Sequence, residues 1–370
     1  MPNPAVSTTP TTPARFLLAG LLTMLTLAGA CAPSADRDRL APILPPALNR
    51  GDTIAFIAPA GKLDRVRMEL ARKRLEAEGF VVKVPEDLYR NRGYLAGTDE
   101  RRAAELMAAF TDPTVKAVLP GTGGYGASRI LDQLDYDVIR NNPKVFIGFS
   151  DITALHLAIQ KKCGLVTFHT PNPQWGLGST DNLKPISAKY FWRTLRNADY
   201  FDPAGKPLPP GFEYEWPSDI APFKVVVPGV ARGRLTGGNL SLIAALMGTP
   251  YEMETAGRVL FIEDIDERPY RIDRFLCQLR SAGKLKGLAA VILGQFTNCE
   301  PKPDEVSLSL EEVLLDYFGE MKVPVIMNFP AGHVPNNLTL PFGAMVEVDT
   351  HAGRVRVLEN PVKLVAEAAR

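Results

Sequence analysis

The chain of 370 residues contains only four histidines, so chemistry that needs an imidazole base has four candidates. His333 sits in Pro330-Ala331-Gly332-His333-Val334-Pro335, just after a strand, where Gly and Pro constrain the backbone on both sides. That is the most site-like setting of the four. His156 falls six residues after Ser150 on one expected helix and reads as half-buried packing. His351 reads as a solvated turn residue. His169 ends a strand and can line a site, but it has no acid beside it. The serine candidate lies in Gly148-Phe149-Ser150-Asp151, between an apolar run and a helix. A serine at such a corner exposes its hydroxyl, and the Asp151 N–H at the helix start can hold an oxyanion. Only half of a Gly-x-Ser-x-Gly elbow is present, and the same residues also fit a plain helix N-cap. In Phe261-Ile262-Glu263-Asp264 an apolar strand ends in two carboxylates, which lie too far upstream to cap the helix expected near Pro269. Carboxylates on a buried strand need partners. Finally, Gly121-Thr122-Gly123-Gly124-Tyr125-Gly126 can present backbone N–H groups to an anion. It fits neither the dinucleotide nor the phosphate-loop pattern, and by itself it is equally a tight turn. A nucleophilic serine needs a base, and the base an orienting acid. The sequence offers a candidate for each, the acid being either of the two adjacent carboxylates Glu263 and Asp264.

These residues must be positioned by regular elements. Strand-type runs at 53–59, 81–84, 115–119, 145–148 and 165–168 alternate with helical segments at 64–78, 98–110, 127–134 and 151–162. Such alternation predicts an N-terminal α/β domain, 51–200, built on a doubly wound, mostly parallel sheet. Sites in such sheets lie at the carboxyl ends of strands. The interval 201–223 holds six prolines and reads as a linker. From 224 to 362 a smaller, mixed, β-rich α/β domain is expected. Its strands are placed at 225–227, 230–235, 258–262, 289–293, 325–327, 345–348 and 354–358, and its helices at 239–247, 269–282 and 309–318. The last two strands flank a hairpin at Asp349-Thr350-His351-Ala352-Gly353. The nucleophile candidate therefore lies in the first domain and the acid and base in the second.

Composition narrows the function classes. With 42 basic and 41 acidic side chains and a net charge of +1, the chain does not carry the electrostatic footprint of a nucleic-acid binder. Four cysteines cannot build a disulfide framework, and no metal-ligand spacing or cofactor motif is present. Residues 1–31 have a single charge, Arg15, ahead of an apolar run from Phe16 to Ala28, the plan of an export signal. That run is too short for a comfortable membrane span. It ends in Ala28-Gly29-Ala30-Cys31, which resembles a bacterial lipobox with Cys31 as the lipidated residue. An ordinary cleaved signal or an uncleaved anchor is the alternative. Residues 32–50 are Pro-rich and read as a tether. The expected location is the periplasmic side of the cell envelope, lipid-anchored or secreted.

Gly123-Gly124-Tyr125-Gly126, Gly148-Phe149-Ser150-Asp151-Ile152-Thr153-Ala154-Leu155, Leu260-Phe261-Ile262-Glu263-Asp264 with Arg268-Pro269-Tyr270-Arg271-Ile272-Asp273-Arg274, and Gly332-His333 occur in one order. Together they resemble the LD-carboxypeptidase family of serine peptidases over about residues 50–359. The resemblance implies a Ser-Glu-His triad of Ser150, Glu263 and His333. It also implies an oxyanion hole from the backbone N–H groups of Gly124 and Asp151, and a homodimer. His169-Thr170-Pro171 departs from the His-Gly-Pro more usual in the family. Gly123, Tyr125, Arg129, Arg271 and Arg274 are candidate substrate contacts, the arginines for a terminal carboxylate. The implied substrate is a murein tetrapeptide losing its terminal D-alanine. The alternatives are cleavage of acyl-adenylate conjugates, as in the microcin C self-immunity peptidases, and a non-catalytic envelope binding protein on the same scaffold. An exported chain meets cell-wall peptides rather than cytosolic adenylates, which favours the first.

Overall fold

The computed structural model describes residues 41–216 and 220–365. The export signal, the lipobox-like Cys31 and the first part of the expected tether lie outside the described residues. Among the described residues no helix is long and apolar enough to cross a membrane.

Two sheets organise the fold. The first orders its strands Leu340–Phe342, Thr167–His169, Val145–Gly148, Val115–Pro120, Thr53–Ile57 and Val81–Lys83. The last five are parallel to one another. Successive side chains on these strands point to opposite faces. Ala55 and Ile57 join one core with helices Asp99–Thr111 and Thr153–Cys163. Ile54 and Phe56 join another with helix Arg65–Ala77. This is the doubly wound arrangement expected from the sequence. The strand order reverses between Thr53–Ile57 and Val115–Pro120, so the loops after these two strands flank the crevice where such sheets bind ligands.

The second sheet runs Phe212–Glu213, Arg354–Val357, Met345–Asp349, Val230–Asn239, Arg258–Ile265, Ala290–Thr297, Val325–Met327 and Lys224–Val227. Its four strands from Val230–Asn239 to Val325–Met327 are parallel and the flanking ones antiparallel. The sheet is mixed as expected, yet among the described residues it has eight strands against six and is the wider of the two. The hairpin at 349–353 is present, closing with Asp349 opposite Arg354.

Three segments differ from the sequence reading. Residues 41–48 are not a free tether. Ile43 bridges Leu165, Pro46 bridges Lys363 and Leu48 bridges Arg196, and Ala47 and Leu48 are buried. Apolar side chains alternating with the prolines hold this strip on the body. The interval 201–223 is also engaged, since Phe212–Glu213 adds to the second sheet and Tyr214 is buried. Strand Leu340–Phe342, from the C-terminal half, pairs antiparallel with Thr167–His169 in the first sheet, so the chain crosses back into the region that carries Ser150.

Candidate active site

Ser150 follows strand Val145–Gly148 and opens a tight turn, Ser150–Ile152, that runs into helix Thr153–Cys163. Its φ is +64°, a left-handed conformation that a non-glycine residue adopts at a cost. Such strain is characteristic of a nucleophile elbow. Two glycines make room for the corner. A Cβ on Gly148 would lie 2.8 Å from Ile152, and one on Gly123 would lie 2.9 Å from the Ser150 Cβ. The elbow therefore presses directly on the Gly-rich loop.

That loop is oriented by backbone bonding. The Gly61 N–H donates to the Gly123 carbonyl at 2.9 Å. In a trans peptide the C=O and N–H point in opposite directions, so this bond turns the Gly124 N–H away from Gly61, and Gly124 lines the cavity beside Ser150. Asp151 is buried, and its carboxylate accepts the Ala127 N–H at 2.7 Å. Burial pushes its pKa up to about 6 against the opposing pull of that N–H.

Glu263 lies near the end of strand Arg258–Ile265 and is fully buried. His333 Nδ1 and Glu263 Oε2 are 2.6 Å apart. A carboxylate can only accept, so the imidazole proton sits on Nδ1, which leaves Nε2 as the basic nitrogen. Burial works against the charged form of His333, but the facing Glu263 carboxylate outweighs it, and the pKa rises above the ordinary 6.5. Gly332, with φ of +128°, permits the approach, because a Cβ there would lie 2.9 Å from Glu263 Oε2. Asn337 accepts the Gly332 N–H at 3.1 Å, and Thr297 donates its hydroxyl to the His333 carbonyl at 2.9 Å. Neither residue was legible as a site residue in the sequence.

The adjacent acids have separate roles, since neighbouring strand residues face opposite ways. Asp264 accepts from the Ser241 hydroxyl and N–H and from Asn239 Nδ2. It thus caps the start of helix Leu240–Ala245 and not the later helix considered from the sequence.

Ser150 and His333 line one cavity of about 660 Å³, with the Phe149 and His333 rings 4.9 Å apart between centroids. Its far wall is the segment 171–184. Trp175 there donates its indole N–H to Thr122 Oγ1 at 3.0 Å, and the Arg67 guanidinium lies 4.2 Å over its ring. Lys184, 3.4 Å from Asp181, brings a cation to the rim. The arginines nominated for a carboxylate are elsewhere. Arg129 is held by Asp99, Arg271 by Glu267, and Arg274 lies over Tyr270. None lines the cavity, and neither does Tyr125, which packs edge-on against Tyr94 at the surface. Gly123 does. Of the other histidines, His156 is fully buried rather than half-buried. Its Nε2 donates to the Gly148 carbonyl at 2.9 Å, and burial lowers its pKa to about 4. His169 is buried behind the Phe149, Phe261 and Phe342 rings and not on the cavity wall. His351 is exposed in its turn. Among the described residues no cluster of His, Cys, Asp or Glu is placed to hold a metal ion.

Residues 54–170 match the model of an LD-carboxypeptidase N-terminal domain and residues 232–348 that of an LD-carboxypeptidase C-terminal domain. The chain belongs to the LD-carboxypeptidase family. It is accordingly a serine-type carboxypeptidase. The chain is 42% identical over 318 residues to a probable murein peptide carboxypeptidase of Bacillus subtilis, covering 86% of this chain and 95% of the relative. It is 34% identical over 293 residues to a murein tetrapeptide carboxypeptidase of Pseudomonas aeruginosa, covering 78% and 91%. Among solved structures, the microcin C7 self-immunity protein bound to aspartyl sulfamoyl adenosine superposes with a TM-score of 0.78 at 25% identity, covering 87% of this chain and all of that one. A muramoyltetrapeptide carboxypeptidase from Oxalobacter formigenes gives 0.70 at 30% identity, covering 82% and 97%.

Proposed function

We propose that the protein hydrolyses the L,D-peptide bond that releases terminal D-alanine from murein tetrapeptides, with Ser150 as nucleophile, His333 as base and Glu263 as the acid that orients it. The observation that carries this reading is the 2.6 Å His333–Glu263 contact at the edge of the cavity that Ser150 lines. Neutral His333 takes the Ser150 proton at Nε2 as the oxygen attacks the scissile carbonyl, and Glu263 stabilises the imidazolium that forms. The Gly124 and Asp151 N–H groups receive the oxyanion, each contributing on the order of 3 kcal/mol. His333 then protonates the departing amine, and water repeats the cycle on the acyl-enzyme. The names of the two murein carboxypeptidase relatives support this substrate class.

The test is D-alanine release from a muropeptide tetrapeptide, followed by mass spectrometry. Ser150→Ala should abolish it, and retained turnover would remove Ser150 as nucleophile. The likeness to the microcin C7 self-immunity protein, together with the exposed Trp175 on the cavity wall, favours a second reading. Cleavage of an acyl sulfamoyl adenosine with the tetrapeptide left intact would select it. We further propose export with lipidation at Cys31, on the strength of Ala28-Gly29-Ala30-Cys31, and a homodimer. Globomycin-sensitive processing with palmitate labelling tests the first, and sedimentation tests the second.

A further inference from the structure

Arg102 lies at the end of the first turn of helix Asp99–Thr111, in a sequence setting typical of a solvated arginine, yet its side chain is wholly buried. Burying a guanidinium is unfavourable unless its N–H groups find acceptors. Among the described residues, two of its three nitrogens find them. Nη1 donates to the Pro59 carbonyl and, at 2.7 Å, to the Gly126 carbonyl, and Nη2 pairs with Asp99. The backbone acceptors belong to the loops after strands Thr53–Ile57 and Val115–Pro120, the two loops that flank the crevice. Gly126 has φ of +131°, and a Cβ on it would lie 2.8 Å from Arg102 Nη1, so the loop approaches this guanidinium as only glycine allows.

The same Gly126–Ala127 peptide is held from its other side, where Asp151 accepts the Ala127 N–H. The 58–61 loop is anchored to the same helix a second time, by Glu105 accepting the Ala58 N–H at 2.6 Å. From this loop Gly61 donates to the Gly123 carbonyl, the bond that orients the Gly123–Gly124 peptide.

We propose that Arg102 is a positioning residue for the oxyanion donors, its buried guanidinium tying the 58–61 loop to the Gly-rich loop and so setting the direction of the Gly124 N–H. This rests on the reading of Ser150 as nucleophile. Arg102 touches no substrate, so its loss acts on the transition state and leaves ground-state binding in place.

The experiment measures the rate at which a fluorophosphonate labels Ser150, alongside kcat and KM on the tetrapeptide, for wild type, Arg102→Lys, Arg102→Met and Asp99→Asn. Circular dichroism melts report the folded fraction of each. Arg102→Met should slow labelling and lower kcat by about ten- to a hundredfold, short of the hundred- to thousandfold seen when a donor is lost outright. KM should stay within about threefold. Arg102→Lys, which keeps the charge and reaches one carbonyl, should recover part of the rate. Asp99→Asn keeps the shape but loosens the guanidinium, and should give a smaller loss of the same kind. If the Arg102 variants do not fold, Asp99→Asn decides, and a wild-type rate in it overturns the proposal. Folded Arg102→Met that labels at the wild-type rate overturns it too, as does a loss expressed entirely in KM. Failure of the wild type to be labelled at Ser150 is a different outcome and would overturn the nucleophile reading along with this one.

Discussion

Replacing Glu263 with Gln removes one negative charge while keeping side-chain size, at a point where the carboxylate faces the His333 imidazole. Oε2 lies 2.6 Å from His333 Nδ1, and among the described residues Oε1, which is buried, has no hydrogen-bond partner. Breaking a buried charged pair by removing one partner costs about 3–5 kcal/mol, and each 1.36 kcal/mol is tenfold in rate. A loss of about a hundred- to several-thousandfold in kcat/KM follows if that energy is expressed in the imidazolium-forming transition state. The pH profile supplies the sharper reading. In the proposed mechanism neutral His333 is the base, so activity should rise as His333 loses its proton, and its raised pKa puts the acid limb of kcat/KM above 6.5. In Glu263→Gln the main raising influence is gone and burial remains, so the limb should move to lower pH even as the rate falls. Stopped assays of D-alanine release from pH 5 to 9 measure both. A limb that stays in place or moves upward would refute the assignment of Glu263 as the group that tunes His333.

Further outcomes follow from the same geometry. Gly332→Ala should lower kcat at least tenfold, because the new methyl lies against Glu263 Oε2 in a backbone conformation that disfavours it; wild-type kinetics would refute the need for close approach. Gly123→Ala should likewise impair turnover by displacing Ser150 or the Asp151 N–H, each about 3 Å from the added carbon, and an unchanged fluorophosphonate labelling rate would count against it. Lys184→Met should raise KM several-fold with kcat nearly constant if the rim cation meets the substrate carboxylate, which titration of initial rates decides. Asp264 has its pKa raised to about 6 by burial. Its contribution to stability is present below the unfolded value of 3.8 and is lost as pH rises through 6, so Asp264→Asn should gain on the wild type in melting temperature between pH 4 and 7. A constant difference across that range would refute this.

What could be read in advance was whatever is local in sequence. The Ser150 corner, the strand ending in Glu263 and the Gly332-His333 pair each carry their constraint within a few residues, so most strands of both sheets and the three candidate residues of the site were legible. What escaped depends on partners far along the chain. Strand Leu340–Phe342 has three residues, one of them Pro341, and pairs with residues 167–169; no periodicity announces so short a strand. Asn337 and Thr297 act on the His333 backbone through distant loops. Trp175 and Lys184 come from a stretch with no regular pattern. Arg102 looks like any helical arginine until the loops that cover it are folded. The nomination of Arg271 was correctable from sequence alone, since Glu267 stands four residues before it and takes its charge.

The return of Leu340–Phe342 to the first sheet bears on when the enzyme can act. His333 is seven residues from this strand and about 180 residues from Ser150, so the proposed base is carried on a loop whose far end is stitched to the sheet of the proposed nucleophile. A growing chain displays its serine elbow long before the imidazole has been made, and the stitch forms only after almost the whole polypeptide is available. Contacts so distant in sequence are among the slower to close. On the proposed triad, hydrolytic competence belongs to the finished molecule: truncated or partly folded forms should carry an inert serine, and recovery of activity on refolding should trail the recovery of helical signal.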